Sequence, residues 1–386
     1  MKRAPRRHNL EKMKSQRAVA DLSRKVQFLR QSSAYGEGAM HVAVIETHFS
    51  WVFLTPSRAY KLKKPVRQAS MDYRSLKGRE RGCRTEVRLN RRLAPDVYLG
   101  VVPLGRRADG QLVLGRAPTV VDWLVAMRRL PSNRMLDAVM LRGALGAAEL
   151  RGVVQLLADF YAGARRRPST AARYLQGLHD RTLSHARELA RPRYQLPLKR
   201  VQALAAAQLQ FMQRCRSELG RRAALLVEGH GDLRPEHVFL GAAGQVPAVI
   251  DCLEFDAALR RLDPMEEVAS LAMECASAGA AAVAQALLRK MRAALRDGAS
   301  DALLYFYMSQ RATTRAQMAA WHVRDPKLAR RFAHWRARAA HYLAQAEQWA
   351  GRALHESPPG AHSSADTGQR SSSGATGRPD SSRHNA

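Results

Sequence analysis

The chain has 386 residues, with 64 Lys and Arg against 33 Asp and Glu and a net charge of +31. This length allows one large domain or two lobes that share a cleft. The charge favours polyanions such as nucleic acid, an acidic membrane or nucleotide phosphates. A general bias toward arginine codons would give the same excess, so the charge alone does not identify a partner.

The expected location of the protein is cytoplasmic. Its four cysteines are far apart and form no CxxC pair, which disfavours structural zinc and disulfide scaffolds and fits a reducing compartment. The basic first 25 residues lack the apolar segment of a signal peptide. The apolar run at residues 276–288 is short and contains Gln285. This run predicts a helix in water rather than an integral membrane segment.

The first third of the chain predicts a basic extension followed by a β-rich unit. Residues 1–40 form the extension, which is helical near residues 20–29 and leaves nucleic acid open as a partner. Residues 41–130 alternate like strands and contain turn signals at Pro56 and at Asp109–Gly110. The spacing of apolar residues over 74–94 predicts one helix within this unit.

Residues 131–354 are mostly helical in pattern and contain one non-helical island at residues 225–256. The predicted helices cover residues 148–163, 179–190, 199–219, 264–295, 301–321 and 328–354. The Ser-, Gly- and Pro-rich residues 355–386 predict a disordered tail. The expected fold class is therefore α+β, with a small β-rich N-lobe and a large helical C-lobe whose β-island, residues 225–256, is catalytic.

The segment HGDLRPEH, residues 230–237, reads like the catalytic loop of a kinase. Asp232 stands where a base would accept a hydroxyl proton and aim the hydroxyl at a phosphorus atom. Arg234 could neutralise charge on the transferring group, and His230 would brace the loop. His237 stands where a magnesium-binding Asn is expected.

A second carboxylate follows nineteen residues after Asp232, where Asp251 ends an apolar strand. There it could hold Mg²⁺ bridging nucleotide phosphates. Each signal alone is weak, because an Asp at a strand end is often only a turn residue. The two carboxylates together, in a β-island within a helical lobe, are more specific for phosphoryl transfer.

The N-lobe supplies candidates for holding the nucleotide. Lys61 and Lys63 share one face of a strand because side chains alternate. We favour Lys61 for the phosphates, with Lys63 as the alternative and Glu86 as the ion-pair partner. The turn between the first two strands lacks the glycines of a kinase phosphate loop. The hydroxyls of Thr47 or Ser50, with backbone amides, would therefore have to bind the phosphates there.

A further acidic pair is interpreted as structural. Asp263 precedes Pro264, the pattern of a helix N-cap followed by proline at the first helical position. We expect Asp263 and Glu267 to anchor this helix below the metal site.

Together, HGDLRPEH, VIDCLEF and DPMEEVA resemble the aminoglycoside phosphotransferase/choline kinase branch of the protein-kinase-like fold. Longer blocks between residues 25 and 350 resemble an uncharacterised bacterial phosphotransferase-like group that is often fused to a P-loop ATPase domain. This chain has no Walker motif and so resembles only the kinase-like half. The resemblance implies ATP or GTP, Mg²⁺ and a hydroxyl acceptor. With His237 in place of Asn, the metal could instead be Mn²⁺.

Three hypotheses remain open from the sequence. The chain is an ATP-dependent phosphotransferase acting on a small-molecule or nucleic-acid-linked hydroxyl, a nucleotide-binding pseudokinase, or a basic nucleic-acid-binding protein. Metal-dependent ATP hydrolysis separates the first from the second. The third lacks a recognisable binding module. The acceptor and the oligomeric state are left unassigned.

Overall fold

A computed structural model describes residues 20–36, 41–68, 71–241, 245–324 and 331–358. Most of the basic extension and of the expected C-terminal tail therefore lies outside the described residues. Two lobes are present, a β-rich one up to about residue 130 and a helical one after it. The predicted two-lobed α+β architecture is confirmed.

The N-lobe is built on a six-stranded antiparallel sheet in the order β1-β2-β3-β8-β6-β7. Helix α1 covers residues 20–29. The other elements are β1 Ala43–Glu46, β2 Ser50–Leu54, β3 Arg58–Lys63, β4 Arg67–Gln68, β5 Met71–Asp72, α2 Leu76–Asn90, β6 Tyr98–Arg106, β7 Leu112–Leu114 and β8 Thr119–Arg128.

The alternation of side chains along β3 gives its two faces different roles. Tyr60 and Leu62 pack with Leu29 of α1 on one side of the sheet. Lys61 and Lys63 point to the opposite side, where their ammonium groups meet Glu86 of α2. The period of two therefore puts both lysines on the α2 side of the sheet.

The C-lobe is an assembly of helices with two short strand pairings, β10 with β11 and β9 with β12, at its front. Its elements are α3 Leu136–Leu141, α4 Ala147–Gly163, α5 Ala171–Leu189, α6 Leu198–Arg214, α7 Arg216–Arg222, β9 Val227–Glu228, β10 Val238–Phe239, β11 Ala248–Val249, β12 Arg261–Leu262, α8 Pro264–Ser277, α9 Ala281–Leu295, α10 Asp301–His322 and α11 Phe332–Glu356. Short 3-10 turns lie at Ser32–Tyr35, Ser132–Arg134, Pro192–Tyr194, Ala223–Leu225 and Pro235–His237.

An apolar cluster joins the two lobes beneath the cleft. Val87 of α2 and Val125 of β8 pack in one buried group with Met135, Phe239 and Ala248 of the C-lobe. Burial of these side chains stabilises the contact between the lobes. It positions the strands β10 and β11, and the loops around them, against the N-lobe sheet.

Helix boundaries differ from the sequence expectations for local reasons. Helix α5 begins at Ala171 rather than at residue 179, because the Thr170 side chain accepts a hydrogen bond from the Arg173 backbone. The segment 264–295 forms two helices, separated near Gly279, whose φ of +86° is the left-handed region that glycine adopts readily. Cys215, with φ −104° and ψ 25°, separates α6 from α7.

None of the described helices combines the length and the apolar character that crossing a membrane would require.

Candidate active site

The loop between β9 and β10 carries the HGDLRPEH segment and is held from below by α8. Glu267 accepts hydrogen bonds from the backbone amides of His230, at 2.9 Å, and Gly231, at 2.5 Å. Burial raises the pKa of Glu267, although these amide hydrogen bonds oppose the shift. Glu267 therefore anchors α8 to the loop through these two hydrogen bonds.

His230 is buried and braces the loop, as its place in the motif suggested. Its Nε2 lies 2.9 Å from the backbone oxygen of Ile250, and its Nδ1 lies 3.3 Å from the backbone nitrogen of Asp232. Burial lowers the pKa of His230 to about 3. A neutral imidazole therefore connects the loop to the segment that leads to Asp251.

Asp232 is engaged by two guanidinium groups. Arg311 of α10 donates to its Oδ1 at 2.8 Å, and Nε of Arg234 lies 3.1 Å from its Oδ2. Burial would raise the pKa of Asp232, but the charges around it, with Arg311 the largest, bring the pKa below its usual range. Asp232 is consequently an ionised carboxylate and a weak base.

His237 lies between the two aspartates. Its Nδ1 is 2.9 Å from the backbone oxygen of Asp232, so Nδ1 carries the proton and donates it. Its Nε2 is 2.8 Å from the Arg234 guanidinium and 3.6 Å from Oδ2 of Asp251. Nε2 therefore accepts a hydrogen bond from Arg234, and the carboxylate that the sequence assigned to the metal lies next to it.

Asp251 has an unusual backbone, with φ +63°. A non-glycine residue in this region costs about 1–3 kcal/mol, and such strain clusters at active sites and ligand-binding segments. Its backbone N–H donates to the Tyr98 hydroxyl at 3.1 Å. Its side chain is 45% exposed and lies 2.6 Å from Nζ of Lys61. Burial opposes ionisation, but the Lys61 charge lowers the pKa of Asp251 below its usual range.

The two lysines of β3 have different surroundings. Lys61 is 15% exposed and contacts Glu86 at 2.9 Å as well as Asp251. Lys63 is 1% exposed, contacts the other oxygen of Glu86 at 2.6 Å and is also paired with Glu254. Burial would lower the pKa of both lysines, yet the carboxylates raise both well above the usual value.

The turn between β1 and β2 is closed by its own polar groups. The Thr47 hydroxyl accepts from the Ser50 backbone N–H at 2.9 Å and donates to the Ser50 carbonyl at 3.0 Å. Phe49, at the tip of this turn, lies 6.0 Å from the ring of Phe255. The turn thus faces the segment after Asp251, and phosphate contacts by Thr47 and Ser50 stay a prediction.

A metal ion would find a partial set of ligands here. Within the ranges that the structure describes, no three His, Cys, Asp or Glu side chains converge into a ready-made metal site. A nucleotide-bound divalent cation needs only one or two protein ligands, since phosphates and water supply the others. Asp251, exposed and 3.6 Å from Nε2 of His237, fits that requirement, and His237 could join it once Arg234 releases Nε2.

Sequence reasoning missed two side chains of this cluster. Arg311 lies on a helix about 80 residues after Asp232, and no local pattern distinguishes it from the many other arginines. Glu254 also accepts a hydrogen bond from the Tyr73 hydroxyl at 2.9 Å, so it ties Lys63 to the segment after Asp251. Only the folded chain brings these groups together.

Comparisons with known proteins give relatives and structural likenesses. No family model matches the chain. It is 29% identical over 291 residues to uncharacterised proteins of Mycobacterium tuberculosis and Mycobacterium bovis, over 72% of this chain and 54% of theirs. The chain therefore spans about half the length of the curated relatives it matches.

Among similar solved structures is a GDP complex of a mutant aminoglycoside 2'-phosphotransferase, with a TM-score of 0.48, 14% identity and coverage of 82% of this chain and 94% of that one. A choline/ethanolamine kinase family protein from Mesorhizobium loti has a TM-score of 0.47 and 14% identity, over 85% and 99% of the two chains. A glucosamine kinase has a TM-score of 0.45 and 15% identity, over 81% and 76%. The first two belong to the classes of protein that the sequence motifs resemble.

Proposed function

We propose that this chain is a phosphotransferase that moves the γ-phosphate of ATP or GTP to a hydroxyl group of a small molecule. One observation supports the proposal most. Nζ of Lys61, on the N-lobe sheet, lies 2.9 Å from Glu86 of α2 and 2.6 Å from Asp251 of the C-lobe. This contact supports Lys61 as the phosphate-binding lysine and Asp251 as the metal-binding carboxylate, because phosphoryl transfer needs both groups close together in the cleft.

The side chains of the cleft have distinct roles in this proposal. Lys61 neutralises the nucleotide phosphates while Glu86 keeps it in place. Asp251 and His237 hold the divalent cation, which when bound would offset charge on the phosphates. The acceptor oxygen attacks the γ-phosphorus as the bond to the β–γ bridging oxygen breaks and the nucleoside diphosphate leaves.

Asp232 orients the acceptor hydroxyl in this mechanism more than it deprotonates it. Its low pKa makes it a poor base toward an alcohol in the ground state. It becomes an effective acceptor as phosphorus–oxygen bond formation acidifies the hydroxyl. Arg234, 3.1 Å from Asp232, would transfer its contact to the phosphoryl group when substrates bind.

A second candidate function is a nucleotide-binding pseudokinase. The observation in its favour is that Arg311 and Arg234 each contact one oxygen of Asp232, so an acceptor hydroxyl would have to share an oxygen with a guanidinium group. In this alternative the cleft binds nucleotide and does not turn it over. Metal-dependent hydrolysis of ATP distinguishes the two functions.

Thermal unfolding with ATP and either Mg²⁺ or Mn²⁺ tests the cleft. Binding to the folded state alone stabilises it by about 2.7 kcal/mol at about 100 times Kd, so Tm should rise. Asp251→Ala should abolish the metal-dependent part of this rise. Asp180→Ala, on the exposed surface of α5, is the matched control and should retain it.

Asp232→Ala then separates binding from chemistry. It should keep the nucleotide-dependent rise in Tm while losing metal-dependent ATP hydrolysis. If wild type shows the rise and no hydrolysis, the pseudokinase function replaces the enzyme. If no nucleotide or metal shifts Tm in wild type, both functions are wrong.

A further inference from the structure

A cavity of about 360 Å³ lies in the C-lobe between α9, α10 and α11. None of its lining residues belongs to the proposed catalytic cleft. Its floor is apolar and formed by four side chains that are each at most 7% exposed. They are Ala284, Leu288, Leu304 and Met308. The volume is within the range of small-molecule sites, roughly 300–1,000 Å³.

Two aromatic rings form one wall of this cavity. Tyr305 of α10 and Trp349 of α11 stack with their ring centroids 5.6 Å apart and their planes 16° from parallel. The Arg352 guanidinium lies 5.0 Å from the Trp349 ring centroid. A flat apolar group could therefore pack against the floor and this wall with a cation beside it.

The rim of the cavity carries uncompensated positive charge. Arg289, Arg292 and Arg352 line it, and Asp301 is the acidic lining residue. Asp301 is 2.6 Å from Arg292, which neutralises that pair. In the described parts of the chain, no carboxylate lies within 4.0 Å of the Arg289 or Arg352 guanidinium. Two guanidinium groups, one of them stacked on Trp349, thus have no carboxylate partner in the described residues and can pair with an anion.

We propose that this cavity is a binding site for a small organic anion, separate from the catalytic cleft. A flat apolar body lies on the floor and against Trp349. A carboxylate or phosphate head group lies at the rim and contacts Arg289 and Arg352. Charge at the rim and apolar surface inside exclude both a cation and a strongly hydrated inorganic anion.

Calorimetric titration with naphthoate and with its uncharged amide tests this site on the full chain. We expect naphthoate to bind with a stoichiometry of one and the amide to bind about tenfold more weakly, because the guanidinium contacts require a charge. Naphthyl phosphate identifies which head group is preferred, and tighter binding of either anion than of the amide supports the site. Equal affinity for naphthoate and the amide would overturn the proposal.

Variants locate the binding. Arg289→Gln and Arg352→Gln should each weaken naphthoate binding about tenfold without lowering Tm, because both side chains are exposed. Lys290→Gln removes the same charge from the next residue of α9, which does not line the cavity, and should leave the affinity unchanged. Asp251→Ala should also leave it unchanged. An equal loss in Lys290→Gln would show binding to the general basic surface and reject the site.

Discussion

Lys61 and Lys63 both bond Glu86, yet one faces the cleft and the other is enclosed. Lys61 reaches the exposed Asp251, whereas Lys63 is enclosed by Glu86, Glu254 and the Tyr73 ring, whose centroid is 5.0 Å from its Nζ. The sequence preference for Lys61 over Lys63 at the phosphates agrees with this difference in exposure. A nucleotide can reach the partly exposed Lys61, whereas Lys63 is closed off by its buried partners.

Substitution of the two lysines should therefore separate binding from stability. Lys61→Met should abolish the ATP-dependent rise in Tm and cost less stability than Lys63→Met, because Glu86 keeps Lys63 as a partner and Asp251 is exposed. Lys63→Met should lower the free energy of unfolding by about 3 kcal/mol, because it removes one partner from a buried ion pair. Chemical denaturation and thermal shifts on both variants measure these effects. A larger loss of stability in Lys61→Met than in Lys63→Met would contradict the assignment.

His237 offers a test of metal preference. Its Nε2 faces Asp251, and Mn²⁺ accepts a nitrogen ligand more readily than Mg²⁺ does. Wild type should hold Mn²⁺ more tightly than Mg²⁺ in the presence of a non-hydrolysable ATP analogue. His237→Asn should weaken Mn²⁺ binding by about tenfold. The affinities for Mn²⁺ and Mg²⁺ should then be more similar. Electron paramagnetic resonance of free Mn²⁺ measures this affinity.

His179→Asn is the control for that experiment, since His179 is an exposed residue of α5. It should leave Mn²⁺ binding unchanged. If His237→Asn leaves the ratio of Mn²⁺ to Mg²⁺ affinity unchanged, His237 is not a metal ligand. Its role would then be structural, through its contacts with Arg234 and with the Asp232 backbone oxygen.

At the scale of elements, α8 depends on its first residues. Asp263 accepts from the Met265 backbone N–H at 2.9 Å, which confirms the predicted N-cap. The same carboxylate is buried and bonded by Arg222, at 2.5 and 2.6 Å, and by the Tyr307 hydroxyl at 2.8 Å. Asp263 thus joins α8 to α7 and α10 and supports the helix whose Glu267 holds the catalytic loop.

Asp263→Ala should consequently reduce the free energy of unfolding far more than the loss of a helix N-cap alone would. We expect the free energy of unfolding to fall by about 3 kcal/mol or more, since the Arg222 charge is left buried with a single carboxylate partner, Asp297. Thr170→Ala, at the exposed N-cap of α5, removes only a capping hydrogen bond and should cost about 1 kcal/mol. Urea denaturation of both variants compares them. Equal losses would show that the Arg222 contact adds nothing.

For the whole molecule, two buried histidines predict acid sensitivity. Burial lowers the pKa of His230 to about 3 and that of His185 to about 4. In an unfolded chain the pKa of histidine is about 6.5. Between these limits the unfolded chain binds protons that the folded chain does not, so stability rises with pH and falls as the solution is acidified.

The free energy of unfolding should therefore decline from about pH 6.5 toward about pH 4.5, above the range in which most carboxylates titrate. His230→Gln should reduce this slope, whereas His179→Gln, at an exposed position, should leave it unchanged. Urea denaturation across this pH range measures both. A slope that is the same in wild type and His230→Gln would show that His230 is not buried in its neutral form.

Local sequence patterns determined much of the fold because their causes are local. Alternation placed Lys61 and Lys63 on one face of β3, and Asp263 with Pro264 marked the start of α8. The HGDLRPEH segment and the apolar strand before Asp251 located the β-island. Such features depend on neighbours within a few residues, so the sequence by itself shows them.

Tertiary structure alone decided which distant groups meet. Arg311 reaches Asp232 from α10, and Glu254 completes the enclosure of Lys63, although no spacing along the chain connects these residues. The anion-binding cavity likewise needs α9, α10 and α11 packed together. Charge–charge contacts and cavities depend on distances in space, and a sequence this rich in arginine does not indicate which guanidinium will lie beside which carboxylate.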